Sequence, residues 1–166
     1  MLYEKRGGVP QIEVLKLENT SVKDRKVICL PEEICSVQPG INMSFASQHL
    51  RFTYSSPLTP SVVYDYEFEK ESLIVRKDDP VPGYDSRNFE CYSVKVPSHD
   101  GTLVPMTIMH KKGLSLDGQR PVLLRGYGAY GSNVETDFQF MRLPLLERDW
   151  VIALAHVRGG GELGKA

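Results

Sequence analysis

The stretch PVLLRGYGAYG, residues 121–131, runs from a compact apolar segment directly into a glycine-rich turn, and it decides the fold class of its half of the chain. The same design returns in WVIALAHVRGGG, residues 150–161. Both apolar runs are typical of central strands that are buried on two faces. Between them, residues 136–148 have apolar side chains at helical spacing, with Pro144 predicted to interrupt or kink the helix. Strand, helix and strand in this order predict the opening of an α/β sheet.

Upstream of these runs, the pattern changes to short alternating segments that predict antiparallel strands. Residues 90–96 and 102–110 flank the turn PSHDG and predict a hairpin. The segment DDPVPGYD, residues 78–85, is polar and rich in proline, which predicts a connector and a domain boundary. Periodicity alone does not choose among a sandwich, a barrel and a propeller for the first part. Its predicted strands are residues 11–17, 26–30, 50–54, 62–68 and 73–76.

Composition bounds the classes of function. The chain has 166 residues, enough for one ordinary domain but few for two complete ones. Twenty Lys and Arg against 21 Asp and Glu leave no charge excess, so neither nucleic acid nor a membrane surface is a predicted partner. No apolar run reaches membrane-spanning length and the N-terminus is charged, which predicts a cytoplasmic protein. The four histidines are dispersed and the three cysteines show no C-x-x-C spacing, which predicts neither a metal site nor a cofactor.

The two glycine-rich segments carry most of the functional signal, because ligands and catalytic groups collect at the carboxyl ends of strands in open α/β sheets. GGGELG, residues 159–164, also satisfies the G-x-G-x-x-G pattern of dinucleotide sites. That interpretation is disfavoured because Glu162 would face the pyrophosphate and no acidic residue follows about twenty positions later. Arg158 and Glu162 bracket the glycines and are predicted to hold this loop through an ion pair and backbone hydrogen bonds.

Several motifs together resemble one family. GYGAYG at 126–131, FQFMRLPLL at 138–146 and HVRGGGELG at 156–164 resemble the first part of the catalytic domain of oligopeptidase B, a branch of the prolyl oligopeptidase family of serine peptidases. YSSPLTP at 54–60 and VPGY at 81–84 resemble the end of that family's propeller and its crossing into the hydrolase. The resemblance covers at least residues 50–164. Arg125 departs from the aromatic residue expected before Gly126.

The resemblance implies a mixed fold, with a partial β-propeller at residues 1–82 and an incomplete α/β-hydrolase domain at 83–166. It implies a serine-type oligopeptidase that hydrolyses short peptides after basic residues. No serine in the chain has glycine two positions away on both sides, as a nucleophile elbow requires. In the family the Ser-Asp-His triad lies beyond the end of this chain, so the chain alone is predicted to be inactive. The alternative is a non-catalytic interaction module, and the exposed edges of a truncated sheet predict self-association.

Four residues take roles from the resemblance. It implies that Tyr127 supplies an oxyanion-hole hydroxyl and that Tyr130 lines the substrate pocket, the alternative for both being packing against neighbours. It implies that Glu135 and Asp137 accept a basic substrate residue. For these two acids the alternative is the solvated start of a helix, where carboxylates are common.

Overall fold

The computed structural model describes residues 1–6 and 8–162, which form three sheets. In the first, β1 (Leu2–Arg6), β2 (Val9–Glu18) and β3 (Ser21–Val27) are antiparallel and lie in chain order. In the second, β4 (Ser36–Pro39), β5 (His49–Ser55), β6 (Val62–Glu67) and β7 (Ser72–Asp78) form an antiparallel meander.

The third sheet is mixed. It contains β8 (Phe89–Pro97), β9 (Leu103–Lys111), β10 (Val122–Gly126) and β11 (Val151–Ala155) in the spatial order β10-β11-β9-β8. The predicted hairpin is β8 and β9, which pair over their full length. β10 and β11 run parallel, whereas β11 is antiparallel to β9. The carboxyl ends of β10 and β11 therefore lie side by side at the same end of the sheet.

Four of the five strands predicted in the first part are confirmed with shifted bounds, as β2, β5, β6 and β7. The fifth, predicted at 26–30, overlaps β3 only at residues 26 and 27, and two further strands were missed. β1 is the charged segment LYEKR and β4 has four residues ending in proline, so neither shows apolar alternation. Along β5, Leu50, Phe52 and Tyr54 alternate inward and are completely buried. They pack with Ile12 from β2 and form the core of this region.

A second core lies beneath the mixed sheet. Ile152 and Leu154 from β11 and Met109 from β9 are completely buried there. Leu58, which precedes β6, also belongs to this core, and the Tyr84 hydroxyl donates to its carbonyl oxygen at 2.6 Å. Residues on the two sides of the predicted connector are thus packed together.

The predicted helix at 136–148 is mostly wrong. Helical structure is limited to a 3₁₀ turn at Phe140–Arg142 and to α1, Leu143–Leu146. The residues before it are held extended by tertiary contacts, because Thr136 Oγ1 donates to the carbonyl of Cys35 at 2.8 Å and Phe138 N donates to Ser55 Oγ at 2.9 Å. Pro144 lies in the first turn of α1, where its missing N–H is not needed, so it helps to begin the helix and does not kink it.

The prediction of two buried central strands holds for β11 and is wrong for β10. All five residues of β11 are buried, whereas all five of β10 are exposed. β11 lies between β10 and β9, but β10 is the edge of the sheet in the described part of the chain. Its apolar side chains therefore have a partner strand on one side.

Within residues 1–6 and 8–162, no helix has the length and apolar character needed to cross a bilayer. The cytoplasmic location stays a prediction.

Candidate functional site

The two glycine-rich segments lie against each other. We call residues 126–135 the first glycine loop and residues 156–162 the second glycine loop. Gly131 N donates to Gly159 O at 2.8 Å, and Gly161 N donates to Asn133 Oδ1 at 3.0 Å. Because β10 and β11 are parallel neighbours, both loops follow the carboxyl ends of these strands on the same side of the sheet. They form one hydrogen-bonded unit.

Close backbone contact explains the glycines. Gly128 has φ +73° and Gly159 has φ +88°, conformations that side chains disfavour. A Cβ atom on Gly159 would lie 2.1 Å from Gly128 O, and one on Gly128 would lie 2.6 Å from Arg158 O. The two loops approach to a distance that leaves no room for a methyl group at either position.

Tyr127 and Tyr130 lie in the first glycine loop with their side chains in solvent. Tyr127 is 60% exposed and Tyr130 is 94% exposed. Tyr130 also adopts a left-handed conformation, with φ +57°. Packing of these rings into the protein, the alternative interpretation, is therefore not what the structure shows. Both are accessible beside the junction of the two loops.

The predicted ion pair between Arg158 and Glu162 is wrong. Arg158 instead pairs with Asp100 in the turn between β8 and β9, at 2.7 Å. Glu162 is buried, and its Oε1 accepts the backbone N–H of Val134 at 2.8 Å. The predicted backbone hydrogen bond of Glu162 thus exists, but it joins the second glycine loop to the first.

Glu135 and Asp137 line the same cavity, of about 610 Å³, which we call the acidic cavity. Asp79 is a third carboxylate in its wall. Glu135 accepts from Ser36 Oγ at 3.4 Å, and Asp137 accepts from Gln139 Nε2 at 2.6 Å. Both residues precede the first helical turn and lie in a segment without regular secondary structure. Aromatic rings and prolines complete the wall: Tyr54, Phe138, Phe140, Pro60, Pro80 and Pro82.

Arg142 supports the acidic cavity from behind and was not singled out from the sequence. It is buried, and its Nη1 donates to the carbonyl oxygen of Asp137 at 2.9 Å. Burial lowers the pKa of this guanidinium, and the charge of Asp137 acts against that shift. An arginine within the apolar run FMRLPLL was the signal that could have identified it.

A second cavity, of about 570 Å³, lies between the N-terminal strands, the β8–β9 hairpin and the second glycine loop, and we call it the histidine cavity. His156 and Glu162 line it, as does Glu32, which accepts from the Tyr54 hydroxyl at 2.6 Å. Burial, and then the charge of Glu32, raises the pKa of both Cys35 and Cys91 to about 12. These thiols stay protonated and give the wall no charge. His156 is one of the four dispersed histidines that form no metal motif, and no site role was predicted for it from the sequence.

No group of three or more His, Cys, Asp or Glu residues in the described part of the chain is arranged to hold a metal ion.

The comparisons with known proteins give a consistent picture. No family model matches the chain. It is 32% identical to dipeptidyl aminopeptidase BI of Pseudoxanthomonas mexicana over 100% of its own length, and 32% identical to prolyl endopeptidase-like of Xenopus laevis over 99%. Oligopeptidase B from Trypanosoma brucei with covalently bound antipain superposes with a TM-score of 0.87 at 30% identity, covering 96% of this chain. Oligopeptidase B from Leishmania major gives 0.85 at 27% identity, also over 96%.

The matched region is a limited part of each relative. The chain spans 22% of the dipeptidyl aminopeptidase, 23% of the prolyl endopeptidase-like protein and 23% of each oligopeptidase B chain. Its mostly antiparallel sheets match the propeller domain of the prolyl oligopeptidases. The similarity extends over nearly all of this chain in both sequence and structure. Along nearly all of its length, this chain is therefore homologous to one part of the peptidases of the prolyl oligopeptidase family.

Proposed function

We propose that the chain is a segment of a serine oligopeptidase that hydrolyses short peptides after basic residues. Residues 1–82 would form the end of its β-propeller and residues 83–166 the first part of its α/β-hydrolase domain. The two cores support this division, since the first contains only residues from 1–82 and the second, apart from Leu58, only residues from 83–166. The parallel β10–β11 pair in the second region supports it as well. Relatives named as peptidases along the full length of the chain support the reaction class.

The acidic cavity is the observation that carries the proposal. Three carboxylates, Asp79, Glu135 and Asp137, surround a space large enough for a basic side chain. Asp79 already pairs with Lys77 at 2.8 Å, so Glu135 and Asp137 are the carboxylates proposed to bind it. A guanidinium group would satisfy two carboxylates at once, and the aromatic rings would stack on its plane. The cavity lies where residues 135–140 meet β4 and β5, so a peptide bound there would touch both proposed domains.

Tyr127 would supply one hydrogen bond to the oxyanion of the tetrahedral intermediate. Its exposure and the rigid pairing of the two glycine loops around it support this role. Loss of such a donor costs about 2–4 kcal/mol of transition-state stabilisation. Tyr130 would form part of the wall that receives the substrate.

The chain itself would bind without catalysing, since its sequence contains no nucleophile elbow. We expect no triad-like turnover when the purified chain is incubated with fluorogenic peptides containing Arg or Lys. Turnover that is abolished by a serine-directed inhibitor would contradict this expectation.

Binding can be tested apart from catalysis by calorimetric titration with N-acetylarginine amide. We expect saturable binding that is absent for N-acetylcitrulline amide, which has the same length and shape but no charge. Asp137→Asn and Glu135→Gln should each weaken the affinity about tenfold, because each removes one charge-assisted hydrogen bond. Glu69→Gln removes an exposed charge remote from the cavity and is the matched control. Equal affinity for the two amides would refute the proposed role of the cavity.

The exposed face of β10 favours a second candidate, the non-catalytic interaction module. Such a module would bind a partner through this edge and would not need the acidic cavity. Loss of arginine binding in Asp137→Asn together with unchanged self-association would favour the peptidase segment.

A further inference from the structure

His156 is the least satisfied polar group of the histidine cavity. Its side chain is 10% exposed, and its Nε2 lies 3.0 Å from Thr107 Oγ1. Its Nδ1 is fully buried and has no hydrogen-bond partner among the described residues. A buried polar atom left without a partner costs about 1–3 kcal/mol, so such atoms in folded proteins normally have a ligand or water beside them.

Glu162 limits which chemical groups could bind beside His156 Nδ1. Its Oε1 is 3.6 Å from His156 Nδ1, too far for a direct hydrogen bond, and it already accepts from Val134 N. When Nε2–H donates to Thr107 Oγ1, Nδ1 is an acceptor facing a second acceptor. A group that satisfies both must donate at least two hydrogen bonds and gains further if it is positively charged.

The rest of the cavity favours a cation on an apolar stem. Its charged lining consists of Glu32, Glu33 and Glu162 against the single cation Lys5, so acidic groups are in excess. The two neutral thiols add no charge. Apolar side chains form much of the remaining wall: Val9, Pro10, Ile34, Pro57, Leu58 and Val134. A volume of about 570 Å³ falls within the usual range of small-ligand sites.

We propose that the histidine cavity binds a primary ammonium group carried on a short aliphatic chain. The ammonium donates one hydrogen bond to His156 Nδ1 and one to the Glu162 carboxylate, and the alkyl chain lies on the apolar wall. This site is distinct from the acidic cavity, which Asp79, Glu135 and Asp137 line, and it does not depend on peptidase activity.

The test is a titration of the whole 166-residue chain with n-butylammonium chloride, followed by the histidine ring signals in NMR spectra. His156→Gln assigns the His156 signal by its loss. We expect a saturable shift of that signal with n-butylammonium and none with n-butanol or sodium butyrate, which have the same chain length without the cation. Glu162→Gln keeps an acceptor for Val134 N but removes the charge, and should weaken binding at least tenfold. Glu69→Gln removes an exposed carboxylate that does not line the histidine cavity; it is the matched control and should leave the affinity unchanged.

Several outcomes would overturn the proposal. If the three butyl compounds shift the His156 signal equally, the cavity recognises the alkyl chain alone. If none shifts it, Nδ1 is satisfied by water. If n-butylammonium binds equally well to Glu162→Gln, the carboxylate is not its partner. Thr107→Val gives a further check, because loss of the Nε2 partner should release the tautomer and weaken amine binding without removing any charge.

Discussion

The two four-stranded sheets of this chain end in opposite ways. The β4–β7 sheet finishes at β7, whose exposed residues include Arg76, Lys77 and Asp78. The β8–β11 sheet finishes at β10, whose Leu124 is 62% exposed and Val122 56% exposed. Charges on an edge strand prevent pairing with other strands, whereas an exposed apolar edge invites it. The β4–β7 sheet thus ends at a protected edge, whereas the β8–β11 sheet presents an edge suited to a further strand.

β10 and β11 show how far the residues of a strand indicate whether it is buried in the sheet. Both are short apolar runs followed by glycines, and the one residue that sets them apart is Arg125 in β10, a charge that fits an exposed edge. The difference comes from their neighbours, since β11 has a strand on each side and α1 packs near it. Burial here is a property of the sheet order, which local patterning does not encode.

The largest expected effect tests the contrast between these strands. Ile152→Ala in β11 should lower the free energy of unfolding by about 2–5 kcal/mol, because it leaves a cavity in a completely buried position. Leu124→Ala in β10 should change it by about 0.5 kcal/mol or less, since that side chain is mostly in solvent. Urea unfolding of both variants measures the difference. Equal losses would show that β10 is buried in solution.

The junction of the glycine loops gives the next effect. Gly159→Ala should cost about 2–3 kcal/mol, because the methyl group would meet Gly128 O at 2.1 Å and the backbone has φ +88°. Gly113→Ala is the control, with φ +72° and no atom within 4 Å of the new Cβ. It should cost about 1 kcal/mol from conformation alone. The excess for Gly159, measured by urea unfolding, reports the contact between the loops, and no excess would mean that the loops separate in solution.

The sequence predicted the order of elements well where patterning was strong. β5, β6 and β11 are regular alternating or continuous apolar runs and were found, but β1 and β4 have no such pattern. The helix prediction at 136–148 failed because hydrogen bonds from this segment to Ser55 and to Cys35, both distant in sequence, hold its first residues out of a helix. The spacing of apolar residues reflects only local side-chain chemistry. It cannot predict these hydrogen bonds, whose partners are distant in sequence.

For the candidate site, sequence located the acidic residues but not their surroundings. Glu135 and Asp137 were named from motif resemblance, and the structure places them in one cavity. Asp79 comes from the connector, more than fifty positions earlier, so its place beside them depends on the fold. His156 was not singled out because a single histidine carries no motif. Its unsatisfied Nδ1 is visible only once Thr107 and Glu162 are brought beside it.

The ion pairs of Asp65 in the β4–β7 sheet give a smaller effect on stability, and this effect depends on pH. Hydrogen bonds from Arg51 and from Arg76 lower the pKa of Asp65 to about 2, against the opposing effect of its burial. Because the folded-state pKa is lower than the unfolded one, this pairing stabilises the fold above about pH 4 and its contribution is lost as the pH falls towards 2.

Asp65→Asn should therefore lower stability by about 1–2 kcal/mol at neutral pH and remove part of the acid sensitivity between about pH 4 and 2. Thermal unfolding across that pH range measures both. Asp78→Asn, at an exposed position of β7, is the charge-matched control and should follow the wild type. Parallel curves for the wild type and Asp65→Asn would mean that the ion pairs do not stabilise the folded state.

The smallest expected effect on stability comes from a substitution in β10, the exposed edge strand of the β8–β11 sheet. Leu124→Lys places a charge on β10 and should change the free energy of unfolding by about 0.5 kcal/mol or less, because the side chain is already exposed. It should nevertheless suppress self-association, since an edge lysine opposes strand pairing. Light scattering over a range of protein concentrations should show the wild type gaining mass while the variant stays monomeric.

Leu17→Lys separates edge pairing from general hydrophobic attraction. Leu17 is 65% exposed, as Leu124 nearly is, but it lies in β2, which has strands on both sides. If Leu17→Lys suppresses association as strongly as Leu124→Lys, total apolar exposure drives the process and β10 has no special role. If only Leu124→Lys acts, association requires the free backbone of β10, and the two sheets differ because one edge is protected by charge and the other is open.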